Sequence, residues 1–180
     1  IVAGNASVLA DMAGFRLPME SVALQAMVSE PIKPCMDVVV MANTVHGYMS
    51  QSDKGEMVIG GGTDGFNNYT QRGSFHHIEE TVRALVETFP MVSRLKMLRQ
   101  WGGIVDVTGD RSPIISKTPV QNCFVNCGWG TGGFKSIPGS GWAMAELMAT
   151  GHSPLTEEFS MMRFKEGKFI DESVAAGVAH

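Results

Sequence analysis

Val125-Asn126-Cys127-Gly128-Trp129-Gly130-Thr131-Gly132-Gly133-Phe134-Lys135 is the stretch from which the rest of the chain is read. The apolar run Cys123-Phe124-Val125-Asn126 entering it has the length and character of a buried strand. Ser140-Gly141-Trp142-Ala143-Met144-Ala145-Glu146-Leu147-Met148 beyond it reads as a helix. Strand, glycine-dense loop and helix N-terminus together predict an anion-binding or cofactor-binding arrangement. Glycines let the backbone take positive φ and approach a ligand closely, and the first helical N–H groups point outward unpaired. Lys135 adds a positive charge that can hold a carboxylate or stabilise negative charge developing on a bound cofactor. The spacing fits neither G-x-G-x-x-G nor the P-loop, so a dinucleotide fingerprint is not the mode of contact. Four glycines within residues 128–133 exceed what a plain strand-to-helix connection needs.

Upstream of this stretch, Ser112-Pro113-Ile114-Ile115 and Thr118-Pro119 read as turn and edge segments. Asp106, Asp110 and Arg111 flank the turn Thr108-Gly109 and are expected at the surface. Residues 95–107 are apolar but broken by Trp101-Gly102-Gly103, which predicts a pair of strands. Ser74 is a plausible N-cap for a helix from Phe75 to about Phe89. Its core stripe is Ile78, Val82, Leu85, Val86 and Phe89, and Pro90 stops it. Residues 21–65 predict an antiparallel meander. Val22, Leu24, Ala26 and Val28 alternate as on one covered face, and Val38–Ala42 reads as a continuous buried strand. Val45–Gln51 and Glu56–Gly62 form a hairpin about Ser52-Asp53-Lys54-Gly55, ending in a second glycine cluster. His46 and Tyr48, two apart, share a face that either lines a pocket over the sheet or is simply half-exposed.

Residues 1–17 predict a strand end, a turn and a short helix with Val8, Leu9, Met12 and Ala13 as its apolar stripe and Gly14 as its stop. Gly151 closes the helix after the glycine loop. The tail carries clustered Arg163, Lys165, Glu166 and Lys168, as a peripheral extension or docking arm. Because the chain opens as though in mid-strand, the expectation is the C-terminal part of a longer α/β protein.

At 180 residues the chain suits one domain or two small subdomains. A net charge of -4 without a Lys/Arg cluster argues against nucleic acid. No run approaches the ~20 apolar residues of a membrane span, and none reads as a signal peptide. Three cysteines without a CxxC pair predict reduced, buried thiols in a cytoplasmic protein. Five histidines with no close Cys/His/Asp grouping predict no metal, and the lack of G-x-S-x-G disfavours that hydrolase chemistry.

Taken together, the chain resembles the amine-oxidising flavoprotein family that includes D-amino acid oxidase, glycine oxidase and sarcosine oxidase. The likeness is nearest to the beta subunits of heterotetrameric sarcosine oxidases. It is carried by Gly4-Asn5-Ala6-Ser7-Val8-Leu9-Ala10 with Ala13-Gly14, by Arg99-Gln100-Trp101-Gly102-Gly103-Ile104-Val105-Asp106, by Ser112-Pro113-Ile114-Ile115, and above all by residues 125–135. The resemblance implies an α/β (α+β) fold: the C-terminal part of a Rossmann-like FAD domain with an inserted antiparallel-sheet substrate domain. By it, residues 1–20 and 98–154 belong to the FAD domain, 21–97 to the substrate domain, and 155–180 to an extension. Gly128, Gly130, Thr131, Gly132, Gly133 and Lys135 become flavin contacts. Lys135 also matches the lysine that helps hold the substrate carboxylate, and His46 is the nearest candidate for the basic residue used with oxygen. The reaction implied is oxidation of a secondary amine, sarcosine, to glycine and a one-carbon unit, with dioxygen reoxidising FAD. A related dimethylglycine, proline or glycine enzyme, or a non-catalytic scaffold subunit, is the alternative. The ADP-binding fingerprint and the histidine for covalent FMN would lie upstream, outside this chain. Other subunits of a hetero-oligomer are the implied partners, and the chain alone is expected to bind FAD poorly and be inactive.

Overall fold

The computed structural model describes residues 1–42 and 47–170. The elements in order are α1 (Ala6–Met12), β1 (Met19–Pro31), β2 (Val40–Ala42), β3 (Gly47–Gln51), β4 (Glu56–Thr63), α2 (Phe75–Thr88), β5 (Met97–Thr108), β6 (Ile114–Lys117), β7 (Phe124–Cys127), α3 (Gly133–Thr150) and α4 (Arg163–Glu166). Two units emerge. One holds Ile1–Val22 and the chain from Val105, the other Ala23–Ile104, and the chain passes between them within β1 and within β5.

The second unit is a five-stranded sheet ordered β2-β3-β4-β1-β5. Alternation places Met49, Ile59 and Met27 side by side across β3, β4 and β1. With Met57, Leu85 and Val92 they form a buried cluster beneath α2, each such side chain contributing roughly 1.5–3 kcal/mol. Ser74 caps α2 by accepting from the His77 N–H, and Ile78, Val82, Val86 and Phe89 pack on the cluster as the 3.6-residue period predicts. The face of β1 over the cluster is that of Met27 with Gln25 and Ser29; of the four residues expected on one covered face, Val22 and Ala26 are buried, whereas Leu24 and Val28 stay half-exposed. A register irregularity between Leu24 and Gln25 accompanies this, and it corrects the face expected from alternation. The expected break at Trp101-Gly102-Gly103 is absent, because β5 is one strand of 12 residues. Gly102 serves close approach: its N–H donates to the Gln71 carbonyl at 2.9 Å, and a Cβ there would sit 3.1 Å from the Thr70 oxygen.

On the opposite face Tyr48 stands across from Gly60 and its ring lies over that glycine, so a Cβ at Gly60 would overlap it. Burial pushes the Tyr48 hydroxyl pKa up. Gly60→Ala is therefore expected to cost about 1–3 kcal/mol in urea unfolding. In a Tyr48→Ala background the same change should be nearly neutral, and equal costs in both backgrounds would refute this packing. Val45 and His46 lie outside the described residues.

In the first unit, β6 and β7 pair antiparallel, and Val2 bridges Asn126 in parallel. Ala6, Ala10, Leu17, Ile114, Val125, Cys127 and Met161 form its core. α1 thus turns its small alanines inward. Val8, Leu9 and Met12 face outward, with Met12 80% exposed, contrary to the expected stripe, because alanine at 6 and 10 lets the helix lie close on the strands. Asp110 is also buried rather than on the surface. Its carboxylate takes the Arg163 guanidinium on both oxygens, at 2.7 and 2.9 Å, and the Ile170 N–H at 3.2 Å. Arg163 is 3% exposed, donates also to the Ser112 carbonyl at 2.8 Å, and lies over the Phe164 ring. The tail's charges are therefore of two kinds: Lys165, Glu166 and Lys168 are solvated, whereas Arg163 anchors the segment. Among the described residues no helix is long and apolar enough to cross a membrane.

Candidate functional site

β7 ends at Cys127, and the chain turns through residues whose backbone only glycine adopts readily. Gly128 has φ 74° and Gly130 φ 51°. Gly128 is doubly constrained, since a Cβ there would lie 2.7 Å from the Thr108 methyl group. Trp129 fixes the loop between them. Its indole N–H donates to the Asn126 carboxamide at 2.6 Å, and its backbone bridges Val107. The Gly130 N–H donates to the Asp106 carbonyl at 2.8 Å.

The helix begins at Gly133, seven residues before the expected Ser140, and runs through Pro138. Glycine makes this start possible, because a Cβ on Gly133 would come within 3.1 Å of the Trp129 side chain. Pro138 lacks the N–H that would bond the Phe134 carbonyl, so the first turn is held less tightly than the rest. Gly132 is the N-cap and offers no side-chain acceptor, and no acidic residue lies in the first turn. The N–H groups of Gly133, Phe134 and Lys135 thus point forward at the positive end of an 18-residue helix. A Cβ on Gly130 would meet nothing within 4 Å, so the loop faces open space there. Thr131 and Lys135 are exposed on the same loop and first turn, and among the described residues no carboxylate pairs with Lys135.

Of the residues expected at the site, Gly128, Gly130, Thr131, Gly132, Gly133 and Lys135 lie on this one loop and helix start. His46 lies outside the described residues. Asp106 was expected at the surface, yet it is 1% exposed and organises the loop from below. Its carboxylate accepts from the Gly4 N–H at 2.9 Å and the Ser21 hydroxyl at 2.8 Å, while its carbonyl holds Gly130. Burial raises its pKa, against the opposing hydrogen bonds from Ser21 and Gly4. Its position at the end of the Trp101–Asp106 motif was the signal that local patterning passed over.

Chemically, the site supplies donors and positive charge but no nucleophile. Burial, with the Asp106 charge adding to it, pushes the Cys127 thiol up to about 12, so it stays protonated near neutral pH. Cys127 is buried as expected, whereas Cys35 is exposed and Cys123 half-buried. Backbone N–H groups, an unpaired ammonium and open space suit an electron-rich, anionic or carbonyl-bearing ligand edge.

A family model described as FAD dependent oxidoreductase (DAO) matches residues 1–147. The chain is 81% identical over 180 residues to sarcosine oxidase subunit beta of Rhodobacter capsulatus, a match covering 100% of this chain and 44% of that protein. Against sarcosine oxidase subunit beta of Arthrobacter sp it is 55% identical over 179 residues, 99% of this chain and 44% of the relative. It spans less than half the length of these curated relatives. Among solved structures, L-proline dehydrogenase from P. horikoshii superposes with a TM-score of 0.82 at 25% identity, covering 93% of this chain and 46% of that one. Glycine oxidase from Geobacillus kaustophilus, with a TM-score of 0.77 at 20% identity over 90% of this chain and 45% of that one, shares the fold.

Proposed function

Because the chain belongs to the FAD-dependent oxidoreductase family, we propose that it is part of an enzyme subunit that oxidises a secondary amine, sarcosine, to glycine and a one-carbon unit. The observation that carries this reading is the 81% identity, along the whole chain, to a sarcosine oxidase beta subunit. FAD, when bound, accepts the electron pair of the amine and passes it to dioxygen.

The glycine loop fits that cofactor. The uncapped N–H groups of residues 133–135, with no acidic residue in the first turn, would hold the electron-rich pyrimidine edge of the flavin. A Cβ on Gly130 would meet nothing, so no side chain blocks a ligand's approach to the loop there. Gly128, Gly132 and Gly133 keep side chains out of the approach, Thr131 adds a hydroxyl at the rim, and the Lys135 ammonium balances negative charge at that edge and orients the substrate carboxylate. Asp106 and Trp129 hold the loop in place from beneath and beside. His46 is proposed as the basic residue used with oxygen. On this reading residues 1–20 and 98–154 belong to the FAD domain, 21–97 form the substrate domain and 155–180 an extension. The subunit works in the cytoplasm within a hetero-oligomer, a heterotetramer that carries FMN on an upstream histidine.

The test is an absorption spectrum of the full-length subunit before and after anaerobic sarcosine. A yellow protein that bleaches is the expected result. Protein that binds no flavin sinks the oxidoreductase reading. Flavin that ignores sarcosine but bleaches with dimethylglycine, proline or glycine moves the substrate.

A further inference from the structure

We infer that the Asp106 carboxylate is a fixed negative charge that lowers the reduction potential of the flavin held by the glycine loop, so that the electron pair leaves the cofactor more readily. This rests on the reading of that loop as the place that meets FAD. The starting observation is a charge that the local hydrogen bonding does not require. Asp106 is buried, and its carboxylate is met by two neutral donors, the Gly4 N–H at 2.9 Å and the Ser21 hydroxyl at 2.8 Å. Among the described residues no lysine, arginine or histidine forms an ion pair with it. Arg163, a buried cation of the same unit, is committed to Asp110.

An asparagine would serve the fold as well. Its carboxamide oxygen would accept the Gly4 N–H and its NH₂ would donate to the Ser21 oxygen, without the cost of taking an unpaired charge out of water. A buried acid kept where an amide would do is a charge with something nearby to act on.

The reach of this charge is visible at the entrance to the loop. The Asp106 carbonyl accepts the Gly130 N–H at 2.8 Å, so the residue is joined directly to the turn. Cys127, the last residue of β7 before Gly128, has its thiol pKa raised first by burial and then by the Asp106 charge. A second negative charge on that sulfur is opposed by the first, across a buried path that water screens little. FAD that takes up an electron pair and one proton gains one negative charge, and the same repulsion opposes it. Lys135 and the N–H groups of residues 133–135 act with the opposite sign. Lys135 is solvent-exposed and screened, whereas Asp106 is not. The potential of the bound flavin is the balance of the two.

Anaerobic reduction of the full-length, flavin-loaded subunit beside a dye of known potential tests this, at about pH 8, well above the ordinary carboxylate range. Asp106→Asn is expected to shift the equilibrium about tenfold or more toward reduced flavin, a rise of roughly 30 mV for a two-electron couple. Ser21→Ala deletes one of the hydrogen bonds and keeps the charge, so its potential should stay near wild type. Lys135→Met should move the potential the other way. An unchanged potential in Asp106→Asn overturns the inference, and so does an equal rise in Ser21→Ala, which would make the effect one of loop placement. If Asp106→Asn loses its flavin, Asp106→Ser, smaller and equally neutral, is read in the same way. Loss of flavin by both neutral variants makes Asp106 a scaffold residue and overturns the inference as well. Because the reductant is added, flavin that ignores sarcosine still reports the potential, and then only the substrate reading falls. Wild type that takes up no flavin overturns the oxidoreductase reading and this inference with it.

Discussion

Replacing Arg163 with methionine is expected to lower the unfolding free energy of the full-length subunit by about 3–5 kcal/mol, the cost of stranding one member of a buried ion pair. The side chains of Arg163 and Asp110 are 3% and 2% exposed, and both carboxylate oxygens are bonded to the guanidinium. Burial alone would raise the Asp110 pKa. The Arg163 hydrogen bonds, with the Ile170 and Ser112 N–H groups, outweigh it and hold the carboxyl below its ordinary value. A depressed carboxylate contributes stability that is present above the unfolded value of about 3.9 and lost as pH falls through the folded one. In Arg163→Met the sign reverses, because burial is then opposed only by the Ile170 and Ser112 N–H groups and the charged form becomes the costly one. The variant's deficit should be largest near pH 7 and shrink toward pH 4, and Asp110→Asn added to it should recover much of the loss. Urea unfolding at the two pH values measures this. A deficit below about 1 kcal/mol at neutral pH, or one that does not change with pH, would show that the pair is not the anchor of residues 153–170.

Lys135→Met is expected to slow anaerobic flavin reduction by sarcosine by about 10²–10³-fold, the usual effect of deleting one preorganised electrostatic contact. The side chain is exposed and carries no part of the core, so the melting temperature should stay near wild type. Lys135→Arg separates charge from placement. It keeps the positive charge at the same helix turn but cannot reproduce a compact ammonium, so it should recover only part of the rate. Stopped-flow reduction at saturating sarcosine is the measurement, with flavin content measured alongside. A Met variant within threefold of wild type in rate would remove Lys135 from the site and leave the backbone N–H groups as the flavin contact.

What the sequence disclosed was what its signals encode locally. Ser74, the Ile78–Phe89 stripe and Pro90 predicted α2 because cap, period and stop all lie within one helix. The Ser52–Gly55 turn predicted the β3–β4 hairpin for the same reason. The glycine loop was located by composition, and its helix start was missed because Gly133, Gly139, Gly141 and Pro138 all argue against helix on propensity. Asp106 and Asp110 read as surface charges because their partners are far away in sequence: Gly4 and Ser21 for one, Arg163 for the other. Pairings separated by 53 to 102 residues leave no periodic trace. Substrate chemistry was legible only through family likeness, since no spacing in the loop distinguishes one amine from another.

The Gly4–Asp106 hydrogen bond joins residues 102 apart in sequence. A contact of that separation sets an order of events on the ribosome. Residues 23–104, which contain a whole sheet with its covering helix, are synthesised before Asp106, Val125 or Cys127 have been added. At roughly 5–20 residues per second, residues 1–22 wait seconds for residues 105 onward of the first unit to be added. Closing so long a loop costs little more than closing one half its length, about 0.6 kcal/mol, so the delay is set by synthesis and not by chain entropy. Until it ends, Ala6 and Ala10 lack β6 and β7 to lie against. Residues 1–22 therefore stay without β6 and β7 for that interval, and slowing translation between residues 23 and 104 would lengthen it without altering the finished protein.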